Sequence, residues 1–276
     1  MKMPPITKLL FCDLDGTLLD PACRLSKENY DAITTLRERG VLLVPTSGRC
    51  YAEIPAELRE HPAVEMMITS NGAHAVHAKT KETAAHFPMP PAEHLFLYGL
   101  MKEKVYAELF HEGGQVWSEK EKFMNHADYG INQYTFDALL SRVAFLDEYD
   151  AHRRAIGDMD MSVAFFRDPR DLADYVKALE EDGRFSVVFS TSGGAEVMHA
   201  GVSKGTTVPL IAERYGIPLS DCMAAGDSHN DLTMFGAVGL SMATANGGEE
   251  VKAAADTVIC KNSEHILPYI LANVPG

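Results

Sequence analysis

The first third of the chain alternates between continuous apolar runs and apolar residues at helical spacing. The run at 9–12 is ended by acidic and glycine residues, which is typical of a strand buried on both faces of a parallel sheet. Ser26 is placed to cap a helix that ends at Gly40. Further apolar runs at 41–44 and 64–68 predict a second and a third buried strand, with a short helix between them that ends near Pro62. This order of strands and helices predicts a doubly wound α/β sheet.

The middle of the chain has a different pattern. After a proline-rich linker from about residue 87, helical spacing predicts a helix that carries Leu95, Tyr98, Met101, Val105 and Leu109. Short strands are predicted at 115–117, 159–166 and 185–189, together with two further helices, the second opened by Asp168-Pro169. Strands paired around helices in this way predict an α+β insertion.

The last third returns to the first pattern. It predicts a helix at 203–215, strands at 222–225 and 238–242 with a helix between them, and a closing helix at 266–271. We therefore predict one α/β core formed by residues 1–86 and 190–276. An inserted α+β domain at 87–189 divides this core.

Composition narrows the class of protein and of partner. With 276 residues, 46% hydrophobic and 23% charged, the chain is expected to be soluble and globular. It is long enough to form a hydrophobic core that needs no disulfide bonds or metal ions to stabilise it. A net charge of −14 disfavours nucleic acid and membrane surfaces as partners, and no apolar segment approaches membrane-spanning length. Five scattered cysteines and no signal segment predict a cytoplasmic location. The oligomeric state stays open.

Two carboxylates follow the first predicted strand directly, in the segment Asp13-Leu14-Asp15-Gly16-Thr17. In open α/β sheets the ligand crevice lies outside the carboxyl ends of the strands, so both acids point to the expected site. Gly16 permits the curl that lets residues two apart face one point. A strand-ending loop without a catalytic role would also contain acids and glycine.

Three further polar clusters fall at predicted strand ends or helix starts. The segment 46–49, Thr-Ser-Gly-Arg, offers a hydroxyl and backbone N–H groups that suit a phosphate oxygen. Lys204, at the start of a helix, can neutralise a phosphate or hold a carboxylate in its ionised form, although surface lysines are commonplace. Asp227 and Asp231, after the strand at 222–225, are the hard oxygen ligands that Mg²⁺ prefers, and either could instead cap a helix.

Together these clusters resemble the haloacid dehalogenase (HAD) superfamily of phosphotransferases, and within it the Cof-type sugar-phosphate phosphatases. The resemblance covers about 8–85 and 190–262, and it includes Ser70-Asn71-Gly72-Ala73 after the third strand. Ser47 and Lys204 are 157 positions apart, which places the inserted cap domain after the third strand, the C2 type. The family's dehalogenases lack an acid at the position of Asp15, whereas an alkoxide leaving group needs a proton donor.

The resemblance implies a role for each candidate residue. Asp13 would be the nucleophile that forms an aspartyl-phosphate, and Asp15 the general acid and base. Mg²⁺ would be held by Asp13, the main-chain carbonyl of Asp15 and Asp227, with Asp231 fixing the metal site. Ser47 and Lys204 would stabilise the transferring group. The residues implied to bind the substrate phosphate are Gly16, Thr17, Ser47, Gly48, Arg49, Asn71, Gly72, Lys204 and Asn230.

The function implied is Mg²⁺-dependent hydrolysis of small phosphomonoesters, either sugar phosphates or cofactor phosphates. A phosphomutase such as phosphomannomutase and a catalytically silent binding protein on the same fold are the alternatives. Two segments depart from the family pattern. Met242-Ala243-Thr244-Ala245 stands where M-G-N-A is common, with Asn246 displaced, and Lys261-Asn262-Ser263-Glu264-His265-Ile266 stands where S-N-x-x-D-G-V is common. In the insert, Arg153, Arg154, Lys120 and Lys122 are either contacts for the substrate or ordinary charged residues of surface loops.

Overall fold

The computed structural model describes residues 4–189 and 193–274. The chain divides into two compact units. Among the described residues, the first contains 4–48, 54–86 and 203–274, and the second contains 49–53, 87–189 and 193–202. Among the helices of the described residues, none combines the length and the apolar composition that a membrane-spanning segment needs.

Strands and helices alternate through most of the described chain. The described strands are β1 (Lys8–Cys12), β2 (Val41–Pro45), β3 (Met66–Thr69), β4 (His74–His77), β5 (Thr83–His86), β6 (Tyr106–Glu112), β7 (Gln115–Glu119), β8 (Ala144–Leu146), β9 (Met161–Phe166), β10 (Phe185–Phe189), β11 (Ala195–His199), β12 (Cys222–Gly226), β13 (Leu240–Thr244) and β14 (Thr257–Ile259). The described α-helices are α1 (Lys27–Glu38), α2 (Ala56–Arg59), α3 (Pro91–Met101), α4 (Lys120–Met124), α5 (Gln133–Leu139), α6 (Tyr149–Ala155), α7 (Pro169–Asp182), α8 (Lys204–Tyr215), α9 (Leu232–Phe235), α10 (Glu249–Ala254) and α11 (Ile266–Asn273).

A parallel five-stranded sheet in the order β14-β13-β12-β1-β2 forms the centre of the first unit. β1 and β2 are buried along almost their whole length because helices cover both faces, which explains their continuous apolar runs. As predicted, Ser26 accepts the N–H of Asn29 at the start of α1, and Gly40 adopts a φ of +82° after its end. A parallel bridge from Thr46 to Ile68 brings β3 next to β2.

The chain runs from β1 outward to β2, and later from β12 outward to β13 and β14 on the other side. The strand order therefore reverses between β1 and β12. The carboxyl ends of these two neighbouring strands form the topological switch point, where ligands bind in open α/β sheets. The predicted doubly wound core is confirmed, and Asp13 and Asp227 follow the two strands at this point.

The second unit is built on a six-stranded sheet in the order β10-β11-β9-β6-β7-β8. Its pairs are antiparallel except for β7 with β8, and Asp168 caps α7 as predicted. An apolar cluster that includes Leu97, Phe110, Tyr175 and Val197 joins the sheet to α3 and α7. The insert is thus an α+β unit, as expected.

Two predictions for this insert differ from the structure. The helix that was predicted to reach Leu109 ends at Met101, and Leu109 lies in β6, which pairs with both β7 and β9. The boundary predicted at 190 also falls too early. β11 bonds to β10 and β9, so its residues belong to the second unit, while residues 190–192 lie outside the described part of the chain.

Arg153 is neither a charged surface residue nor available to a substrate, because its side chain is fully buried in the second unit. Its Nε and Nη2 donate to the two oxygens of Glu108, each at 2.9 Å, and Nη1 contacts Nδ1 of His94 at 2.9 Å. Ser162 donates to the same carboxylate at 2.6 Å. Arg153 is therefore half of a buried ion pair that joins α6 to the sheet.

Candidate active site

The loop after β1 keeps Asp13 in the sheet and then turns sharply. The N–H of Asp13 donates to the carbonyl of Ala225 in β12 at 2.9 Å, and its side chain is buried. Gly16 has a φ of +84°, and a Cβ on it would lie 2.3 Å from Oδ2 of Asp227. Glycine is required there because the carboxylate of Asp227 packs directly against the loop backbone. Thr17 completes the contact by donating to Oδ1 of Asp227 at 3.0 Å.

Lys204, the first residue of α8, connects the acids of this site. Its Nζ donates to Oδ1 of Asp13 at 2.6 Å, to Oδ1 of Asp231 at 2.7 Å and to Oδ1 of Asn230 at 3.0 Å. An ammonium group has three donors, and all three are engaged in these contacts. The side chain is 2% exposed, so the charge is held in one place beside Asp13.

Asp231 serves mainly to organise the segment after β12. Its Oδ2 accepts the N–H groups of Asp227 at 2.9 Å and Ser228 at 3.0 Å, while its Oδ1 accepts from Lys204. A Cβ on Gly226 would lie 2.4 Å from the Asp231 carboxylate carbon, so this turn too depends on a missing side chain. Both oxygens of Asp231 are thereby used within the site.

The electrostatic balance of the site is negative. Carboxylate oxygens of Asp13, Asp227 and Asp231 lie within 4.8 Å of one another, whereas the ammonium of Lys204 supplies one positive charge among them. Burial, followed by the charge of Asp231, raises the pKa of Asp227 to about 6. Burial likewise raises the pKa of Asp13 well above its ordinary value, against the opposing effect of Lys204. Burial lowers the pKa of Lys204, but its two carboxylate partners outweigh this and raise it overall.

The donor set of this site fits a hard divalent cation. Three carboxylates and one ammonium leave an excess of two negative charges in a buried place, which Mg²⁺ would neutralise. All the candidate ligand atoms are oxygens, the type that Mg²⁺ selects. The predicted metal residues Asp13, Asp227 and Asp231 are thus brought together.

A second side of the site is formed by the ends of β2 and β3. Ser47 donates its N–H to the Ile68 carbonyl at 2.9 Å, and its own carbonyl accepts the N–H of Asn71 at 3.0 Å. Ser70, Asn71 and Gly72 all have positive φ, at +49°, +52° and +95°. Such a run is costly for non-glycine residues and is typical of functional loops.

This loop is linked to the lysine side of the site. Nδ2 of Asn230 donates to Oδ1 of Asn71 at 3.3 Å, and Thr207 of α8 donates to the carbonyl of Gly72 at 2.7 Å. A Cβ on Gly72 would lie 2.0 Å from the carbonyl oxygen of Ser203. The start of α8 therefore packs against the Asn71-Gly72 backbone, which is what places Lys204.

Two predicted residues are placed differently from the rest. Asp15 is exposed on the Asp13 loop. Arg49 belongs to the second unit, where its Nη1 donates to the carbonyl of Glu53 at 3.1 Å. The remaining predicted residues, Gly48 included, lie in the first unit, where a Cβ on Gly48 would lie 3.1 Å from Oδ1 of Asn71.

The sequence prediction missed the role of Asn246. Its Nδ2 donates to the carbonyl of Gly16 at 2.7 Å, and its Oδ1 accepts the N–H of Asn262 at 2.8 Å. Asn262 in turn donates to the carbonyl of Leu19 at 2.9 Å. The sequence signal for this role was an asparagine close to, but displaced from, its place in the common M-G-N-A pattern. In the structure the displaced amide still supports the Asp13 loop.

Comparison with known proteins identifies the family. The sequence matches the haloacid dehalogenase-like hydrolases over residues 10–271. The chain belongs to this family. Among its relatives, a putative phosphatase, YxeH, from Bacillus subtilis is 27% identical and covers 94% of each chain. An HMP-PP phosphatase from Klebsiella pneumoniae is 25% identical and covers 90% of this chain and 88% of its own.

Solved structures of the haloacid dehalogenase family share the fold. A haloacid dehalogenase-like hydrolase from B. subtilis superposes with a TM-score of 0.83 at 23% identity, over 98% of this chain and all of the other. A HAD subclass IIB sugar phosphatase, BT4131, gives a TM-score of 0.79 at 21% identity, over 96% and 98% of the two chains. The predicted Cof-type family is confirmed, and hydrolysis of phosphoric monoesters is the enzyme class that it and the named phosphatases support.

Proposed function

We propose that the chain hydrolyses small phosphate monoesters by transferring the phosphoryl group to Asp13 and then to water. The observation that carries the proposal is the buried contact of Lys204 with Asp13 and Asp231 beside Asp227, at the switch point of the sheet. Such a group of charges is costly to bury, and it suits the handling of a doubly charged phosphate with a divalent cation. The binding-protein alternative offers no reason to retain it.

Asp13 is the proposed nucleophile because its carboxylate follows β1 at the switch point and is in contact with a cation. Lys204 engages Oδ1, and we assign to Oδ2 the attack on phosphorus, which breaks the bond to the leaving oxygen. The positive charge of Lys204 opposes the effect of burial and favours the ionised, nucleophilic carboxylate. With all three of its donors engaged, Lys204 would act on the phosphoryl group through its charge.

Asp15 is the proposed proton donor for the leaving alkoxide. It is exposed two residues after the nucleophile, on the loop that Gly16 turns toward Asp227. In the second half-reaction the resulting carboxylate would take a proton from the water that attacks the aspartyl-phosphate. One residue thus serves both steps in opposite protonation states.

Asp13, Asp227 and the main-chain carbonyl of Asp15 are the groups that would hold Mg²⁺. When bound, the ion would neutralise charge on the transferring phosphoryl group. Asp231 has both oxygens committed to Lys204 and to the backbone N–H groups of 227 and 228, so we assign it to positioning rather than to direct ligation.

The phosphate oxygens would be held by groups on both sides of the site. Ser47 with the N–H of Gly48, the Asn71-Gly72 segment, Thr17 and Asn230 are the proposed contacts in the first unit. We retain the predicted contact of Arg49 as a proposal of the same kind. The substrate class is small phosphorylated metabolites, sugar or cofactor phosphates, which suits the acidic chain and a cytoplasmic location.

The test is a panel of phosphate esters assayed for release of inorganic phosphate by the full chain. We expect turnover with Mg²⁺, loss of turnover with EDTA, and sugar or cofactor phosphates hydrolysed faster than phosphopeptides or oligonucleotides. Because a relative is named for HMP-PP, the panel includes a pyrophosphate ester. Isomerised sugar phosphate without release of phosphate would indicate a mutase and contradict the proposal.

The nucleophile is tested with Asp13→Asn, and Asp31→Asn is the matched control on the exposed surface of α1. The amide is nearly isosteric but does not attack phosphorus, so turnover should be lost while thermal unfolding still reports a folded chain. Acid quenching with labelled substrate should trap protein-bound phosphate in the control only. Retention of a tenth of the wild-type kcat by Asp13→Asn would contradict the assignment.

A further inference from the structure

A thiol, a carboxylate and an imidazole meet inside the second unit. Ligand atoms of Cys50, Glu53 and His111 all lie within 4.8 Å of one another, and all three side chains are buried. Cys50 and Glu53 are on the short segment 49–53, and His111 is on β6. Metal-binding side chains of three different types in one buried place are uncommon unless they bind something or form a closed hydrogen-bond network.

The local backbone brings these side chains together. Residues 51–53 form a 3₁₀ turn, in which side chains three positions apart lie on the same side, so Cys50 and Glu53 face one point. The N–H of Cys50 donates to Oε2 of Glu53 at 2.9 Å. The N–H of Ala52 donates to the carbonyl of Gly114 at 2.9 Å, which fixes the segment at the end of β6. Nε2 of His111 then lies 3.5 Å from Oε2 of Glu53.

We propose that Cys50, Glu53 and His111 form a Zn²⁺ site in the second unit. Sulfur, nitrogen and oxygen donors together suit the borderline-soft Zn²⁺, whereas Mg²⁺ prefers oxygen alone. Bonds of about 2.0–2.3 Å in a tetrahedron place ligand atoms about 3.3–3.7 Å apart. The distance from Oε2 of Glu53 to Nε2 of His111 already lies in this range. The other pairs of ligand atoms need to approach each other by no more than about 1.5 Å to reach it. A water molecule would take the fourth position.

The charges of the three groups balance that of Zn²⁺, and the ion would have to overcome the burial and the Glu53 charge that raise the pKa of the Cys50 thiol. Zn²⁺ with one thiolate, one carboxylate and a neutral imidazole has no net charge, which is the condition for burying an ion cheaply. Burial lowers the pKa of His111, against the charges of Glu53 and Asp160, and so favours the neutral imidazole that binds metals. Binding replaces the thiol proton of Cys50, which leaves to solvent as the sulfur–zinc bond forms.

The site would attach the segment 49–53 to β6. This segment directly follows Gly48, so a bound ion would fix the chain immediately after the proposed phosphate loop. The inference concerns ligands in the second unit alone, and it does not rest on the proposed hydrolysis of phosphate esters.

The experiment uses Co²⁺ as a spectroscopic probe of the full chain. The reduced, chelator-treated protein is incubated with Co²⁺ in excess Mg²⁺, desalted, and examined by absorption spectroscopy and elemental analysis. We expect one Co²⁺ per chain that gives a sulfur-to-cobalt charge-transfer band, which carboxylates cannot produce. Added Zn²⁺ should displace the Co²⁺, abolish the band and raise the Tm.

Cys50→Ser should abolish the band, and Cys222→Ser, which alters another buried thiol, should retain it. Glu53→Gln and His111→Gln should weaken binding at least tenfold, and they test the site even if Cys50→Ser fails to fold. Zn²⁺ should raise the Tm of Cys222→Ser but not of the three site variants. A folded wild type without the band, or a band that persists in Cys50→Ser, would overturn the proposal. Co²⁺ binding that is lost in Asp227→Ala but kept in the three site variants would also overturn the proposal.

Discussion

Gly72→Ala tests how the Asn71-Gly72 turn places Lys204. Gly72 has a φ of +95°, and a Cβ there would lie 2.0 Å from the Ser203 carbonyl oxygen and 3.2 Å from the Lys204 nitrogen. Real Cβ atoms essentially never approach other atoms closer than 3.0 Å, so the start of α8 or the turn itself must move by at least 1 Å. Both neighbours are backbone atoms, which cannot yield by rotating a side chain.

The expected loss of unfolding free energy in Gly72→Ala has two parts. A non-glycine residue at positive φ costs about 1–2 kcal/mol by itself. Displacing α8 also breaks the hydrogen bond from Thr207 to the Gly72 carbonyl, worth about 1 kcal/mol, and adds strain to the buried contact of Lys204 with Asp13. We expect Gly72→Ala to lower the free energy of unfolding by about 3 kcal/mol. A shift of about 1 Å in Lys204 should lower kcat/KM about 100-fold.

Gly216→Ala is the matched control at the other end of α8. Gly216 also has positive φ, at +66°, but in the described part of the chain no atom beyond its chain neighbours and the backbone of its own helix lies within 4 Å of the position of its Cβ. It should therefore lose only about 1 kcal/mol of stability and keep kcat/KM within about twofold. The assays are urea unfolding and hydrolysis of an aryl phosphate with Mg²⁺. If Gly72→Ala were no more harmful than Gly216→Ala in both, packing of the turn against α8 would not place Lys204.

Three further predictions concern protonation, the metal and the insert. Asp15→Asn should slow hydrolysis of alkyl phosphates far more than that of nitrophenyl phosphate, since only the alkoxide must be protonated, and equal losses would contradict its role. Asp227→Ala should shift the Mg²⁺ titration of activity at least tenfold upward, and an unchanged titration would leave it a structural role. Burial opposes ionisation of Glu108, but the charge and hydrogen bonds of Arg153, together with hydrogen bonds from Ser162 and Tyr149, outweigh it and lower its pKa. Glu108→Gln should therefore cost about 3–5 kcal/mol at pH 7 in urea unfolding. The stability that Glu108→Gln loses should become smaller as the pH falls from 4.5, the ordinary pKa of a glutamate, through the lower pKa of Glu108 in the folded state. A loss of stability that does not change with pH would refute the ion pair.

The core of the fold could be predicted from the sequence because its strands are buried on both faces. A run such as 9–12 is ended by a chemically distinct loop, so its type and its end are both visible. β6 is also buried on nearly all positions, but it follows a helix closely, and helical spacing continues by chance to Leu109. Glu108 in this strand is polar in the sequence and buried in the structure because Arg153, 45 residues later, neutralises it.

The acids and the lysine of the candidate site could be predicted because each follows a strand or begins a helix at the switch point. The parts that could not be predicted depend on contacts between distant residues. Only the three-dimensional structure shows that Lys204 donates all its hydrogen bonds to protein groups and that Asn246 donates to the Gly16 carbonyl. The meeting of His111 with Cys50, 61 positions earlier, is likewise invisible in sequence spacing.

The strand order of the first unit has a consequence for synthesis of the chain. Leu9 of β1 pairs with Cys222 of β12, and Asp13 meets Lys204, so these partners leave the ribosome about 200 residues after β1. At about 5–20 residues per second, β1 waits roughly 10 to 40 s for that side of its sheet. The strands of the second unit, by contrast, all lie within 106–199 and emerge together. During translation the inserted sheet can therefore form first, while the carboxylate of Asp13 remains hydrated until the last third of the chain delivers its counter-charge.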